Sequence, residues 1–489
     1  MTNISLAVAL PLLAAFLLPV LGRLSNLLSA VTGPLVLVLA VLVLGAHWPV
    51  IGGDAFSVAL GGFAPPLGIV FYVDGLSLLF ALAVPLMTLL MWPWGRHRVR
   101  EQTLSLVLVA GATGLALSGD LFNIYVFYEL VAVSSYGLAV SRDTGAAWAA
   151  GFRYLLLSAF GSVLALTGIA IVYTATGTLN LAQLAEVAPG ALSEAQALAA
   201  FICLLLGLGV KAELFPVNAW VPEVYATAHR RVSGLLAGLV SKLAVIVVLR
   251  LLILLFPTEE ARQVLLVLGV LGVLTGELAA WRAPDLARML AWSSIAQLGM
   301  VFIAFSISGT AGVVAGVAIA LHHLVAKPAL FLLAERWGGA LERLRGAWWQ
   351  SPFAVALFVL FALSLVGVPP LPGFWAKFLL LRGLADGGDG PYLFAMAVVL
   401  AATVVEANYL FRTVSLMFSA GDGARSADGS YRPHGRLDLA TAGLLGVVLV
   451  AGVVLLHPVG SSLHDVAAQA VDPAIYIDRV LHNAGGGRP

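Results

Sequence analysis

Residues 196–256 read QALAAFICLLLGLGVKAELFPVNAWVPEVYATAHRRVSGLLAGLVSKLAVIVVLRLLILLF. Two apolar runs, 196–218 and 232–256, flank a short segment with two arginines. Each run is long enough to cross about 30 Å of hydrocarbon, which takes about 20 helical residues. Each also carries a lysine in its interior, Lys211 or Lys242, and the first contains a helix breaker, Pro216. A cation inside a membrane span costs at least about 2.5–3.5 kcal/mol, so both lysines ask for a reason. A helix broken at membrane depth lines a cavity or a pathway.

The same ruler applied along the chain gives fourteen candidate spans: 4–22, 31–51, 69–92, 103–119, 121–139, 152–174, 196–218, 232–256, 262–281, 289–308, 311–334, 352–381, 392–416 and 437–457. Composition agrees. Of 489 residues, 61% are hydrophobic and only 10% charged, against about 25% charged in an ordinary globular protein. So few charges cannot cover a soluble surface, and the expected fold is an all-α polytopic membrane protein. The first run, 4–22, lacks a basic leader and a small-residue cleavage site, so it reads as a retained helix.

Arginine placement orients the spans. Loops after odd-numbered spans, with the span ends that border them, carry seventeen: Arg23, Arg96, Arg98, Arg100, Arg142, Arg153, Arg230, Arg231, Arg282, Arg288, Arg336, Arg343, Arg345, Arg412, Arg425, Arg432 and Arg436. Loops after even-numbered spans and the tail carry Arg262, Arg382, Arg479 and Arg488. The basic side faces the cytoplasm, which predicts an inner-membrane protein with both termini extracytoplasmic.

The remaining cations are Lys211, Lys242, Arg250, Lys327 and Lys377. All four lysines of the chain therefore fall inside spans, and every loop cation is arginine. Arginine keeps its proton at any accessible pH, whereas a desolvated lysine gives its proton up near neutrality. Four buried amines read as a proton relay; the competing reading is structural ion pairing with buried carboxylates.

Glu129, near half depth in the fifth span, is the best acid to pair with such a lysine and gate it by charge separation. His323 and Lys327 (LHHLVAKPALF) are four apart and share a helix face, so the histidine can hand protons to the amine. His322 points away from that face. Lys377 follows the break at Pro369–Pro370 in VGVPPLPGFWAKF. Glu406, Glu213, His322, Arg250 and Asp74 are accessory candidates; Arg250 does not shuttle protons but can anchor a carboxylate.

Spans four to eight (103–256) and nine to thirteen (262–416) are each five helices with opposite starting sides, and each set has a lysine beside a proline break in its fourth helix. That is the pattern of an inverted repeat. Around it stand three N-terminal helices (1–102), a fourteenth span (437–457) and an extracytoplasmic tail (458–489). A single cysteine, Cys203, excludes an intrachain disulfide, a Cys-rich zinc site and an iron–sulfur cluster. No phosphate loop or dinucleotide fingerprint is present. No cofactor, metal or nucleic acid is expected.

These motifs resemble a known family. VKAELFPVNAWVPEVYATAHRRVSGLLAGLVSKLAV (210–245), PDLARMLAWSSIAQLGM (284–300) and VPPLPGFWAKF (368–378) are similar to stretches of the antiporter-like membrane subunits. These subunits occur in Mrp-type cation/proton antiporters and in NADH:quinone oxidoreductase (complex I). The resemblance spans roughly residues 65–415. It implies that Glu129, Lys211, Lys242, His323, Lys327 and Lys377 are the relay residues. The tail AAQAVDPAIYIDRVL (467–481) is similar to that of the Mrp antiporter D-subunit. The implied function is a proton-translocating subunit of a multisubunit Na+/H+ antiporter. The implied partners are other membrane subunits, a larger paralogue among them, with H+, Na+ and the lipid bilayer. The alternative is a pumping subunit of a redox-driven complex, of the NADH:quinone oxidoreductase or membrane-bound hydrogenase type. Two departures stand out: Arg230–Arg231 replaces proline and a small residue, and Glu213 replaces alanine.

Overall fold

The computed structural model describes residues 3–94, 98–388, 390–420 and 435–482. Arg96, Arg425, Arg432 and Arg488 of the charge count lie outside the described residues. The chain is mostly helical, and each of the fourteen expected stretches contains a helix. Among the described residues, nine helices are long and apolar enough to cross a membrane by themselves, from Leu6–Leu24 to Arg436–Val454. Four shorter apolar helices accompany them: Ala30–Gly45, Gly75–Leu90, Glu194–Gly209 and Pro352–Val366.

Three boundaries differ from expectation, each for a local reason. The run expected as a helix from residue 69 starts as a strand: Val70–Val73 pairs antiparallel with Phe56–Ala59, Phe56 opposite Val73. The β-branched and aromatic run IVFYV suits a strand but is indistinguishable by hydropathy from the helix that follows. Asp74 then starts that helix at Gly75, with a reciprocal capping box to Ser77. An all-α reading therefore misses one hairpin. The loop between the sixth and seventh spans holds a further helix, Leu181–Ala191, capped by Asn180. The tail is also helical, over Leu456–Ala470 and Pro473–Ile477.

Both proline breaks are present. Helix Glu194–Gly209 stops before Pro216, and helical structure resumes at Val221–Thr227. Helix Pro352–Val366 ends at Gly367, which adopts φ 91°, a left-handed conformation that glycine reaches without steric cost, and a new helix runs Pro372–Gly387. One irregularity has no mark in the sequence: residues Leu236–Val240 form a π-helical turn immediately before Ser241 and Lys242. Such turns inside a helix recur at functional sites.

The chain divides into two compact units. The first comprises Met1–Ala212, Leu239–Gln263 and Ser462–Pro489; the second comprises Glu213–Gly238 and Val264–Ser461. In the first, helices Gly145–Thr176 and Glu194–Gly209 touch backbone to backbone: a Cβ on Gly207 would lie 2.6 Å from the Gly161 carbonyl oxygen. Helix association in lipid relies on such close approach of small residues. The tail is tied to the hairpin of the same unit, with Ser57 Oγ donating to the Arg479 carbonyl at 2.8 Å and the Gly75 amide donating to Gln469 Oε1 at 3.0 Å.

The second unit repeats the packing device. A Cβ on Gly299 would lie 2.7 Å from the Gly269 carbonyl oxygen, which brings helices Glu259–Trp281 and Leu286–Ser306 into backbone contact. Gly238 leaves room for the Pro328 ring, 2.4 Å from where its Cβ would stand. These contacts fix the helices that carry the buried charges.

Candidate relay sites

In the first unit, Lys211 lies two residues past the end of helix Glu194–Gly209 and is 2% exposed. Its ammonium takes no hydrogen bond and stands 3.8 Å from the centroid of the Tyr128 ring. A desolvated cation over an aromatic face is stabilised by about 2 kcal/mol or more. Tyr128 is itself fixed, because its hydroxyl donates at 2.7 Å to the carbonyl of Gly207. That carbonyl belongs to the last turn, whose oxygens have no helical donor once the helix has stopped. The break thus supplies the acceptor that holds the ring that holds the lysine. Glu129, the next residue after Tyr128, supplies the opposing charge that acts on Lys211 without closing an ion pair. One Glu129 oxygen is buried and accepts no hydrogen bond.

Lys242 is fully buried, and its ammonium donates to Ser241 Oγ at 3.1 Å. Two turns on, Arg250 grips Asp74 through both guanidinium ends, at 2.7 and 3.0 Å. Its guanidinium carbon lies 5.3 Å from the ring centroids of Tyr72 and Tyr476, which pack on each other. Arg250 therefore holds the Asp74 carboxylate. Both Asp74 oxygens accept from that arginine, and Oδ1 also accepts from the Ser77 amide that caps helix Gly75–Leu90.

In the second unit, Lys377 follows its break more intimately. Its ammonium pairs with Glu406 Oε2 at 2.5 Å and donates at 3.3 Å to the carbonyl of Val366, the last residue of the interrupted helix. The other Glu406 oxygen accepts from Gln297 at 2.9 Å, so both are committed. Lys327, fully buried, donates to Ser293 Oγ at 2.8 Å and to the Leu290 carbonyl at 3.0 Å. His323 is 1% exposed and lies one turn before Lys327 on helix Gly309–Ala334. His322, turned off that face, meets Ser364 Oγ through Nε2 at 2.9 Å and so addresses the broken span. Glu213 accepts a hydrogen bond from the Tyr225 hydroxyl at 2.6 Å.

The departure at Arg230–Arg231 has a structural account. The Arg230 guanidinium donates to the Tyr225 and Ala226 carbonyls at the end of helix Val221–Thr227, and Arg231 pairs with Asp438 at 2.5 Å. A cation suits the negative end of a helix.

Glu277 (LTGELAAW, within 262–281) is a buried acid that is not among the expected Glu129, Glu406, Glu213 and Asp74. It is 1% exposed, and neither carboxyl oxygen has a hydrogen-bond partner. Its one mark in the sequence is an acid inside an apolar span. Tyr128 and Ser293, which hold two of the lysines, carry no sequence signal apart from this packing. Among the described residues, no group of three or more His, Cys, Asp or Glu side chains is disposed to hold a metal.

Residues 118–405 match the family profile described as NADH:quinone oxidoreductase/Mrp antiporter, transmembrane region. The N-subunit of NADH-quinone oxidoreductase from Desulforudis audaxviator is 31% identical over 448 residues, 86% of this chain and 88% of that protein. The D-subunit of the Na(+)/H(+) antiporter from Alkalihalophilus pseudofirmus is 31% identical over 384 residues, 76% of each. Among solved structures, a chain of the membrane-bound sulfane sulfur reductase, an archaeal respiratory membrane complex, superimposes with a TM-score of 0.89 at 30% identity, covering 98% of this chain and 100% of its own. A chain of the Mrp complex from Dietzia sp. DQ12-45-1b gives 0.89 at 27% identity, covering 98% and 99%.

Proposed function

The chain belongs to the NADH:quinone oxidoreductase/Mrp antiporter transmembrane family, and on that premise we propose that it is a proton-translocating subunit of a multisubunit monovalent cation/proton antiporter, with Na+ as the exchanged cation. The observation that carries this reading is the exclusive burial of lysine: Lys211, Lys242, Lys327 and Lys377 are all the lysines of the chain, and each is at most 7% exposed. A structural role would be served as well by arginine, which pairs more rigidly with carboxylates. Of the two cationic side chains, only the lysine amine serves proton exchange.

Protons move among these stations by changing partners. Glu129 pairs with Lys211 in one state and leaves it in another, and the ammonium gives up its proton when no carboxylate opposes its charge. Lys242, His323 and Lys327 carry the proton on, and Lys377 releases it beside its break. Fourteen spans in two inverted five-helix sets, 103–256 and 262–416, give each side of the membrane one half-channel, with the arginine-rich loops in the cytoplasm and both termini outside. The inner membrane and a set of other membrane subunits, a larger paralogue among them, are its setting.

The second reading, a pumping subunit of a redox-driven complex, is favoured by the match to a respiratory membrane complex at equal TM-score. Mild detergent extraction from native membranes followed by mass spectrometry separates the two. Co-purification of small hydrophobic subunits and a larger paralogue, without flavin or iron–sulfur proteins, is the expected result; peripheral redox subunits overturn the antiporter reading.

A further inference from the structure

Glu277 is the buried charge that the relay as described leaves unused. It sits on helix Glu259–Trp281 at a point where that helix is pressed against Leu286–Ser306: a Cβ on its neighbour Gly276 would lie 2.6 Å from the Ala296 amide nitrogen. It is 1% exposed and both oxygens are without a hydrogen bond. The charged and titratable groups that act on it are Glu406, Lys377, Lys327 and Tyr409, all in the same unit. Glu406 cannot help it, because its oxygens are committed to Lys377 and Gln297. Lys377 is in turn neutralised by Glu406. A buried carboxyl beside a second carboxylate, with no donor of its own, is stable only when it holds a proton or borrows a cation.

The donor route is also present. Tyr409 lies one turn after Glu406 on helix Gly390–Phe418 and is fully buried. Its hydroxyl is buried without a hydrogen-bond partner, and Ser293 and Glu277 are both among the groups that act on it. Ser293 Oγ already accepts from the Lys327 ammonium at 2.8 Å. Lys327 thus touches Ser293, Ser293 and Glu277 both act on Tyr409, and the Glu406–Lys377 pair acts on Glu277.

We propose that Glu277, reached through Tyr409 and Ser293, is a proton-accepting station that joins Lys327 to the Lys377–Glu406 pair. In the forward step one proton leaves the Lys327 ammonium, which becomes a neutral amine. The hydroxyls of Ser293 and Tyr409 each accept one proton and pass one on, and the Glu277 carboxylate ends as a carboxylic acid. Its negative charge is thereby removed from beside Glu406, which then holds Lys377 alone. When Lys377 has released its own proton outward, Glu277 reprotonates it and returns to carboxylate. This route gives the second unit a connection between its two lysines that does not run through His323.

The inference rests on the proposed transport function, and the test keeps the two apart. The intact complex, purified with this chain and reconstituted in vesicles, is assayed for proton-coupled transport with wild type, Glu277→Gln, Glu277→Asp and Lys211→Ala in parallel. Loss of a positioned proton-transfer group is expected to slow transport about 100-fold in Glu277→Gln, at unchanged yield of complex, with substantial recovery in Glu277→Asp. Infrared difference spectra between acid and alkaline buffer are expected to show a protonated-carboxyl band that Glu277→Gln removes and Lys211→Ala keeps. Wild-type transport in Glu277→Gln with none in Lys211→Ala overturns the station and leaves the transport function standing. Equal loss in Gln and Asp variants with the band intact makes Glu277 a packing residue and also overturns it. Wild-type transport in both Glu277→Gln and Lys211→Ala overturns the function itself, and the station with it.

Discussion

Lys211 and Lys377 occupy the same position in the sequence pattern, a lysine beside a proline break, yet their surroundings differ. At the Lys377 break the lysine takes the freed helix carbonyl, Val366, and closes an ion pair with Glu406 at 2.5 Å. At the Lys211 break the freed carbonyl of Gly207 goes to Tyr128, which offers its ring face at 3.8 Å, and Glu129 acts without contact. One amine is locked to its counter-ion; the other is held by an aromatic face that has no proton to exchange. Removing one partner of a buried pair costs about 3–5 kcal/mol, whereas a desolvated cation–π contact is worth about 2 kcal/mol. The difference teaches that the Lys211 site is poised to change partners and the Lys377 site to keep one until its own charge is neutralised.

The largest effect that would sharpen this contrast is expected from Glu406→Ala. It leaves the Lys377 ammonium buried and uncompensated, so the complex should lose about 3–5 kcal/mol of stability, visible as a lower midpoint in a thermal assembly assay. The matching change in the other unit, Glu129→Ala, should leave that midpoint near wild type while abolishing transport. Equal destabilisation by the two would break the comparison. Next in size, Tyr128→Leu removes the ring under Lys211 and its hold on Gly207; a loss of about 1–2 kcal/mol, or roughly 5- to 30-fold in transport rate, is expected. Ser293→Ala deletes one neutral acceptor of Lys327 and should cost about 1 kcal/mol of stability, read as a small fall in the same thermal midpoint. The smallest effect belongs to Arg288→Gln, which breaks a half-exposed bridge to Glu223 at 2.9 Å; exposed pairs contribute under about 1 kcal/mol, so neither stability nor transport should move measurably.

The helices and the two breaks were legible in the sequence because a span of about 20 apolar residues, a proline and a lone lysine each leave a local mark. Pairing was not. Lys377 and Glu406 lie 29 positions apart, and helical periodicity gives the face of each residue without saying which helices are neighbours. Tyr128 is hidden because an aromatic residue in an apolar span looks like packing; only its contact with the end of another helix gives it a role. Glu277 is legible as an acid in a span, but no lysine, histidine or proline break lies beside it in the sequence to single it out. The strand Val70–Val73 is hidden by continuity of hydropathy with the helix that follows it, and the π turn before Lys242 by the absence of any residue that marks one.

The central claim is that lysine protons, beginning with that of Lys211, are what this chain moves. The direct test is proton-coupled cation exchange by the reconstituted complex carrying Lys211→Ala, with assembled complex measured in the same preparation. The account predicts full assembly and no exchange above that of protein-free vesicles. Exchange at the wild-type rate in a fully assembled Lys211→Ala complex would contradict it.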